Sequence, residues 1–350
     1  MSSLSLATAL TRRLGIEVPV LQAGMALVAR PPLVAAVSEA GGLGVLGAAA
    51  SPPEALAREI AEVRSLTDRP FGVDLAFPPE LIDTSPDVLA AVRLAAAEQG
   101  HGAPPPELVG LFEPGRTDAL VEVCCEERVA AVVSALGSPA RYVDRLHAAG
   151  VCVLALCGTP QQATRLRDDG VDAVIASGAE AGGHTGSVGS LTLWRACVEA
   201  VDVPVVAAGG VAGGASLAAA LVLGCQAAWV GTRFLASPEA SLHERAREAV
   251  LTMAVTDTAV TRAFSGKPMR VLHNRYVSDF ESAGVQRGFP LQLLEGESAS
   301  ERGLRDGDVD GAALPVGQCG GLVNGPLSAG EVVQELVRDA ASALRRWVPA

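Results

Sequence analysis

The sequence is poor in aromatic residues, almost devoid of lysine and free of long apolar runs, and each scarcity narrows what the chain can be. Aromatic side chains make up 3% of its 350 residues, as seven Phe, three Trp and two Tyr, so a ligand pocket has few rings to stack on. One of the 27 basic residues is lysine, Lys267, a skew that fits coding bias better than function. Acidic residues outnumber basic ones, for a formal net charge of −12, and a field of that sign repels nucleic-acid backbones and anionic membranes. No stretch reaches the roughly 18 charge-free apolar residues of a membrane span, and the opening MSSLSLATALTRRLGIEVPV lacks a signal-peptide core. Seven cysteines, including the adjacent Cys124 and Cys125, have neither metal-ligand spacing nor the even count of a secreted disulfide framework. We therefore expect reduced thiols, no metal and a soluble cytoplasmic protein.

What the chain does have is 49% hydrophobic residues and 38 glycines, enough for a large core of Ala, Val and Leu with many close backbone approaches. Eight short apolar runs read as strands: Val18 to Met25, Leu43 to Ala48, Phe71 to Phe77, Ala130 to Gly137, Val151 to Gly158, Ala173 to Gly178, Pro204 to Gly210 and Ala227 to Leu235. They are almost continuously hydrophobic, as strands buried on both faces are. Helical segments alternate with them at Pro31 to Ala40, Pro53 to Ser65, Ala140 to Ala149, Pro160 to Asp169, Leu191 to Ala200 and Gly214 to Leu223, several opening with Pro and closing at Gly. Eight strands favour a closed (β/α)8 TIM barrel over a doubly wound open sheet. Two stretches break the rhythm. Residues 78 to 128 read as a helix, a turn and a second helix, and residues 236 to 312 as a helical and irregular excursion ending in the acidic LLEGESASERGLRDGDVDGA. The expected organisation is a barrel of residues 1–235 and 313–350, closed by a helix from Ala329 to Trp347, with 236–312 as a small substrate-side cap over the C-terminal face.

Chemistry in such a barrel belongs at the C-terminal strand ends, with phosphate in the loops after the seventh and eighth strands. Glycine signals stand at both, AAGGVAGGASL with Gly209 and Gly210, and GTRF with Gly231 and Thr232. Backbone N–H groups there can crowd an anion, helped by the positive end of the helix near Gly214. The spacing is not GxGxxG, which disfavours a dinucleotide fold and suits a monophosphate. After the sixth strand, GAEAGGHTG (178–186) puts His184 on a glycine-rich loop at the mouth. The other four histidines, His101, His147, His243 and His273, lie in charged or helical surroundings, so His184 is the candidate catalytic residue. Lys267 reads as a solvated loop charge in preference to a contact for a substrate anion, and Tyr276 as either a residue of the substrate mouth or packing beneath the cap.

In order along the chain, QAGMA (22–26), FGVDLAF (71–77), GAEAGGHTG, AAGGVAGG, GTRF, SGKPMRVLHNRY (265–276) and GQCGGLVNG (317–325) resemble the nitronate monooxygenase family, formerly 2-nitropropane dioxygenases. The resemblance spans nearly the whole chain and implies a barrel that binds FMN noncovalently, with His184 acting as base toward nitroalkanes or holding a nitronate. It assigns Ala23, Gly24 and Met25 to the ring of the flavin, Gly182 and Gly183 to the loop beside it, Gly209, Gly210, Gly231 and Thr232 to the phosphate, and Gln318 to a segment that reaches back to the cofactor. Two positions depart from the family pattern. Asp74 stands where Asn is usual, and Ser177 where Gln is frequent; an ionised carboxylate cannot donate a hydrogen bond as an amide does.

The resemblance implies O2-dependent oxidation of alkyl nitronates to a carbonyl compound and nitrite. Two alternatives stay open: an NAD(P)H-dependent flavin reductase of an enoyl thioester or quinone, as in similar flavin enzymes, and a non-catalytic barrel that binds a phosphorylated metabolite. In the first reading His184, if protonated, would join the helix start after Gly210 in supplying positive potential. The sequence leaves a homodimer open.

Overall fold

Every strand candidate is trimmed at its C-terminal end in the computed structural model, which describes residues 5–49, 51–77, 115–284, 288–289 and 291–346. The first barrel strand is only β1 (Val20–Gln22), and Ala23–Met25 leave the sheet to form a loop at the barrel mouth. It is followed by β2 (Gly44–Gly47), β3 (Phe71–Ala76), β4 (Ala131–Leu136), β5 (Cys152–Cys157) and β6 (Ala173–Ser177). A two-residue strand, β7 (Gly183–His184), stands outside the barrel, so the seventh and eighth barrel strands are β8 (Val205–Ala208) and β9 (Ala227–Val230). All pairings in the eight-stranded sheet are parallel, in the order β1-β9-β8-β6-β5-β4-β3-β2. A parallel bridge between Leu21 and Leu43 joins its two edges. The cylinder is therefore closed, and Gln22 reinforces the seam: its side-chain carbonyl accepts the Val45 N–H at 3.1 Å.

Both strand faces are buried for different reasons. Inside the cylinder, Leu21, Val45, Val133, Leu154, Ile175 and Val206 form one cluster, which Leu10, Leu14 and Ile16 plug from the N-terminal end. The plug is an unforeseen helix, Ala9–Leu14, begun by a Thr8 capping box and stopped by Gly15 at φ 69°. Outside, Val73, Val132, Val153 and Val174 pack against the surrounding helices, among them Pro31–Glu39, Pro53–Leu66 and the closing helix Ala329–Arg345. Among the described residues, apolar side chains plug the floor of the barrel, which leaves its C-terminal rim as the open end.

Of the expected helix pair in residues 78–128, the second appears as Arg116–Glu126; the first lies outside the described residues. Residues 236–312 depart from the sequence reading in two ways. They hold an antiparallel hairpin, β10 (Thr258–Thr261) with β11 (Met269–Leu272), whose β11 also pairs with β7. The acidic run expected to be irregular forms a helix, Leu291–Glu301, followed by a π-helical turn, Arg302–Asp306. Tertiary contact explains the helix: Gln292 Nε2 donates to the Ala263 carbonyl at 2.9 Å. A Cβ on Gly296 would lie 2.3 Å from the Phe264 carbonyl oxygen, a backbone approach that needs glycine. Among the described residues, no helix is long and apolar enough to cross a membrane.

Candidate active site

The glycine-rich loop after β6 is fastened on three sides, and this fixes where His184 stands. Glu180 turns back to the helix Ser190–Ala200, where its carboxylate accepts the Ser190 N–H (2.8 Å) and hydroxyl (2.6 Å). A carboxylate at a helix N-terminus is electrostatically favourable. The Glu180 carbonyl accepts from the Gln318 N–H at 3.0 Å, tying the loop to the C-terminal segment. From the third side, β11 pairs with β7 in a register that sets Met269 opposite His184, and the Thr185 N–H donates to the Pro268 carbonyl at 3.2 Å. The apparent flexibility of GAEAGGHTG is therefore removed by packing. A Cβ at Gly182 would stand 2.6 Å from the Gly317 nitrogen, so the close approach of two backbones is what the glycine permits.

His184 opens onto a cavity of about 330 Å³ at the barrel mouth. Its walls include Ala23, Gly24, Met25, Asp74, Ser177, Gly182, Gly183, Gly209, Gly210, Gly231 and Thr232. The sequence-predicted residues are thus brought to one place from the ends of β1, β3, β6, β8 and β9. Gln318 does not line the cavity; its contribution is the backbone bond to Glu180, and the neighbouring Cys319 faces the space instead. Tyr276 also lies behind the wall. Its hydroxyl donates to the Ala263 carbonyl at 3.2 Å and its ring meets Phe264 edge-on, and Phe264 is the residue that lines the cavity. Trp229, Phe264, Met269 and Leu304 escaped the sequence reading because an apolar residue in an apolar chain carries no mark of facing a ligand.

His184 Nε2 lies 2.7 Å from the Ser265 hydroxyl, and Ser265 also accepts the Lys267 N–H at 3.3 Å. The imidazole is exposed at the cavity mouth. Desolvation by the surrounding protein, followed by the Lys267 ammonium, lowers its pKa to about 4. At neutral pH the ring is uncharged, so the expectation that a protonated His184 supplies positive potential is corrected. Lys267 is the cation at this rim. It is half-buried, its ammonium 4.2 Å from the centre of the Phe289 ring, a cation–π contact that departs from the solvated loop charge expected.

The other side of the cavity can receive an anion. Gly209 and Gly210 have φ of 88° and 79°, and a Cβ on Gly210 would meet protein only at 3.9 Å. The N–H groups of Gly231 and Thr232 have no backbone carbonyl acceptor among the described residues. The Thr232 hydroxyl accepts the buried Gly317 N–H at 2.9 Å, which makes it a strut for the C-terminal segment as well as part of the wall. The start of the next helix is partly used up, since Ser216 Oγ accepts the N–H groups of Ala212 and Gly213 at 3.3 Å. Within GTRF, Arg233 points away from the cavity and is buried against Glu335 of the closing helix. Among the described residues, no group of His, Cys, Asp or Glu is arranged to hold a metal ion.

Asp74 is wholly enclosed, and its carboxyl pKa is raised well above the usual range by burial, with the backbone of Ala135 opposing part of the rise. Its Oδ1 is buried without a hydrogen-bond partner. An orphaned carboxyl oxygen on a cavity wall, open space before Gly183 and Gly210, and N–H groups without a backbone acceptor at the end of β9 fit a flat ligand bearing a phosphate.

Comparison with known proteins agrees with this geometry. The chain is 37% identical over 344 residues to a nitronate monooxygenase of Pseudomonas aeruginosa, covering 94% of this chain and 98% of the relative. It is 36% identical over 284 residues to an octahydro-indene-carboxyl-CoA dehydrogenase of Rhodococcus jostii, covering 81% and 70%. The solved structure of a nitroalkane oxidase from Streptomyces ansochromogenes superposes with a TM-score of 0.83 at 34% identity, over 97% of this chain and all of that one. The nitronate monooxygenase family model matches residues 7–339; the chain belongs to this family of oxidoreductases.

Proposed function

We propose that the protein is an FMN-dependent nitronate monooxygenase that converts an alkyl nitronate, or a nitroalkane first deprotonated by His184, and O2 to a carbonyl compound and nitrite. The observation that carries the reading is His184, an uncharged imidazole at the mouth of a glycine-walled cavity, hydrogen-bonded to Ser265. Bound FMN would supply the electron transfer from substrate to oxygen. It would lie with its ring along Ala23–Met25 and Gly182–Gly183 and its phosphate at Gly209, Gly210, Gly231 and Thr232. A neutral imidazole can take a proton from the carbon beside a nitro group, which a cationic one cannot. Ser265 fixes the orientation of the ring: when Nε2–H donates to its hydroxyl, Nδ1 is the available base. Residues 236–312 act as the substrate-side cap, contributing Phe264, Met269, Leu293 and Leu304 to an apolar wall that limits water at the reacting centre.

The test is nitrite release from propionate 3-nitronate and from nitroethane by FMN-loaded enzyme under air. Bound FMN without nitrite from either compound would remove the substrate assignment. The apolar wall, together with similarity to an enzyme named for an acyl-CoA, supports a second reading in which NAD(P)H reduces the flavin and an enoyl thioester or quinone reoxidises it. Rapid anaerobic bleaching of the flavin by NADPH, with no nitro compound present, would favour it.

A further inference from the structure

Asp74 is a buried carboxyl on the wall of the cavity, and its surroundings decide its charge. It occupies the inner face of β3, in register with Gly47 of β2 and Val133 of β4. The β3–β4 register skips a residue between Ser134 and Leu136, so Ala135 falls outside the ladder and its backbone is turned toward the Asp74 carboxyl. On the opposite side, a Cβ on Gly24 would lie 2.2 Å from the Asp74 Cβ and 2.5 Å from its Oδ2. The QAGMA loop therefore sits directly against the acid. One oxygen is enclosed by Gly24 and Ala135, while Oδ1 has no partner and Asp74 forms part of the cavity wall. Among the described residues that line the cavity, the other titratable groups are His184, whose pKa is lowered to about 4, and Cys319, whose thiol is pushed up to about 11 by burial, and none is a Lys or Arg. A carboxylate in this position would be a buried charge with neither counterion nor adequate donors, costing several kcal/mol.

We propose that Asp74 is a neutral carboxylic acid whose O–H donates a hydrogen bond to an acceptor on the ring of the bound flavin. The inference rests on the flavin reading above and identifies a positioning residue for the cofactor. A protonated carboxyl and an amide share a donor and an acceptor in similar geometry, so exchange of one for the other conserves hydrogen bonding as long as the pocket keeps the acid uncharged. It also makes the sign of a mutational effect diagnostic. If Asp74 is a donor, removing it weakens the flavin; if it is an orphaned anion, removing it relieves a charge and tightens the flavin.

The experiment is FMN titration at neutral pH of wild type, Asp74→Asn and Asp74→Ala, with difference infrared spectra of apo and FMN-loaded wild type. We expect Asp74→Asn to stay within about threefold of the wild-type Kd, and Asp74→Ala to bind roughly three- to tenfold more weakly, the range of one neutral hydrogen bond. The infrared spectrum should show a carboxylic-acid C=O band that is absent from Asp74→Asn and moves to lower frequency when FMN binds. Tighter binding by Asp74→Ala, or a carboxyl band that FMN leaves unmoved, overturns the proposal. The reading of the cofactor fails separately, when wild type itself takes up no FMN. The flavin's reduction potential provides a check in the loaded protein: exchange of a neutral acid for an amide leaves it nearly unchanged, whereas removal of an anion raises it.

Discussion

Replacing Gly182 by alanine tests the contact that holds His184 in place. The added Cβ would lie 2.6 Å from both the Gly317 nitrogen and the Val316 carbonyl carbon, against an ordinary contact beginning near 3.4 Å. Two backbone segments must therefore separate by about 0.8 Å, and neither is a flexible side chain that can swing aside. Overpacking of this kind costs about 1–3 kcal/mol. With an unfolding entropy of about 2.1 cal/mol/K per residue, a protein of this length loses only about 1–4 °C of Tm. The functional loss should be larger, because His184 lies two residues away on the same loop and a displacement near 1 Å can reduce turnover by roughly a hundredfold. The assay pairs thermal unfolding with kcat/KM for nitrite release. Gly150→Ala is the control: its φ is 80°, a Cβ there meets nothing within 4 Å, and it lies outside the cavity wall. It carries the left-handed backbone cost of about 1–2 kcal/mol without pushing the segments apart. A Gly182→Ala protein with wild-type Tm and wild-type kcat/KM would refute the claim that this contact positions the histidine.

Lys267→Met should raise the His184 pKa above its value of about 4, because a neighbouring positive charge is lost while the stem still packs on Phe289; NMR titration of the ring reads the shift. In nitroethane turnover, base catalysis by neutral His184 is present above that pKa and lost as pH falls through about 4, and the same variant should move the acid limb upward. Glu335→Ala leaves the Arg233 guanidinium buried without the carboxylate that stands 3.3 Å away. Loss of one partner from such a pair costs about 3 kcal/mol, measurable by urea unfolding, while FMN affinity stays near wild type because Arg233 points away from the cavity.

Much of this molecule was legible from local pattern. Strands buried on both faces must be apolar throughout, so β1 to β6, β8 and β9 announced themselves as short hydrophobic runs, and their number, eight, implied closure. Glycines at strand ends marked the wall of the cavity, since backbone can approach a ligand closely only where no Cβ intervenes. His184 was legible for a related reason, as a titratable residue at the end of such a strand. The hairpin β10–β11 was not, because four-residue strands carry too little periodicity, and neither was the helix Leu291–Glu301, whose acidic run is held by Gln292 and Gly296 against the chain near Phe264. The identity of residues alone thus determined the barrel and the strand ends that carry its chemistry. Charge states were decided by the tertiary structure: His184 is neutral, Lys267 is the cation at the rim, and Asp74 is enclosed with an orphaned oxygen. Ionisation depends on what surrounds a group in three dimensions, and those neighbours come from strands and loops far apart along the chain.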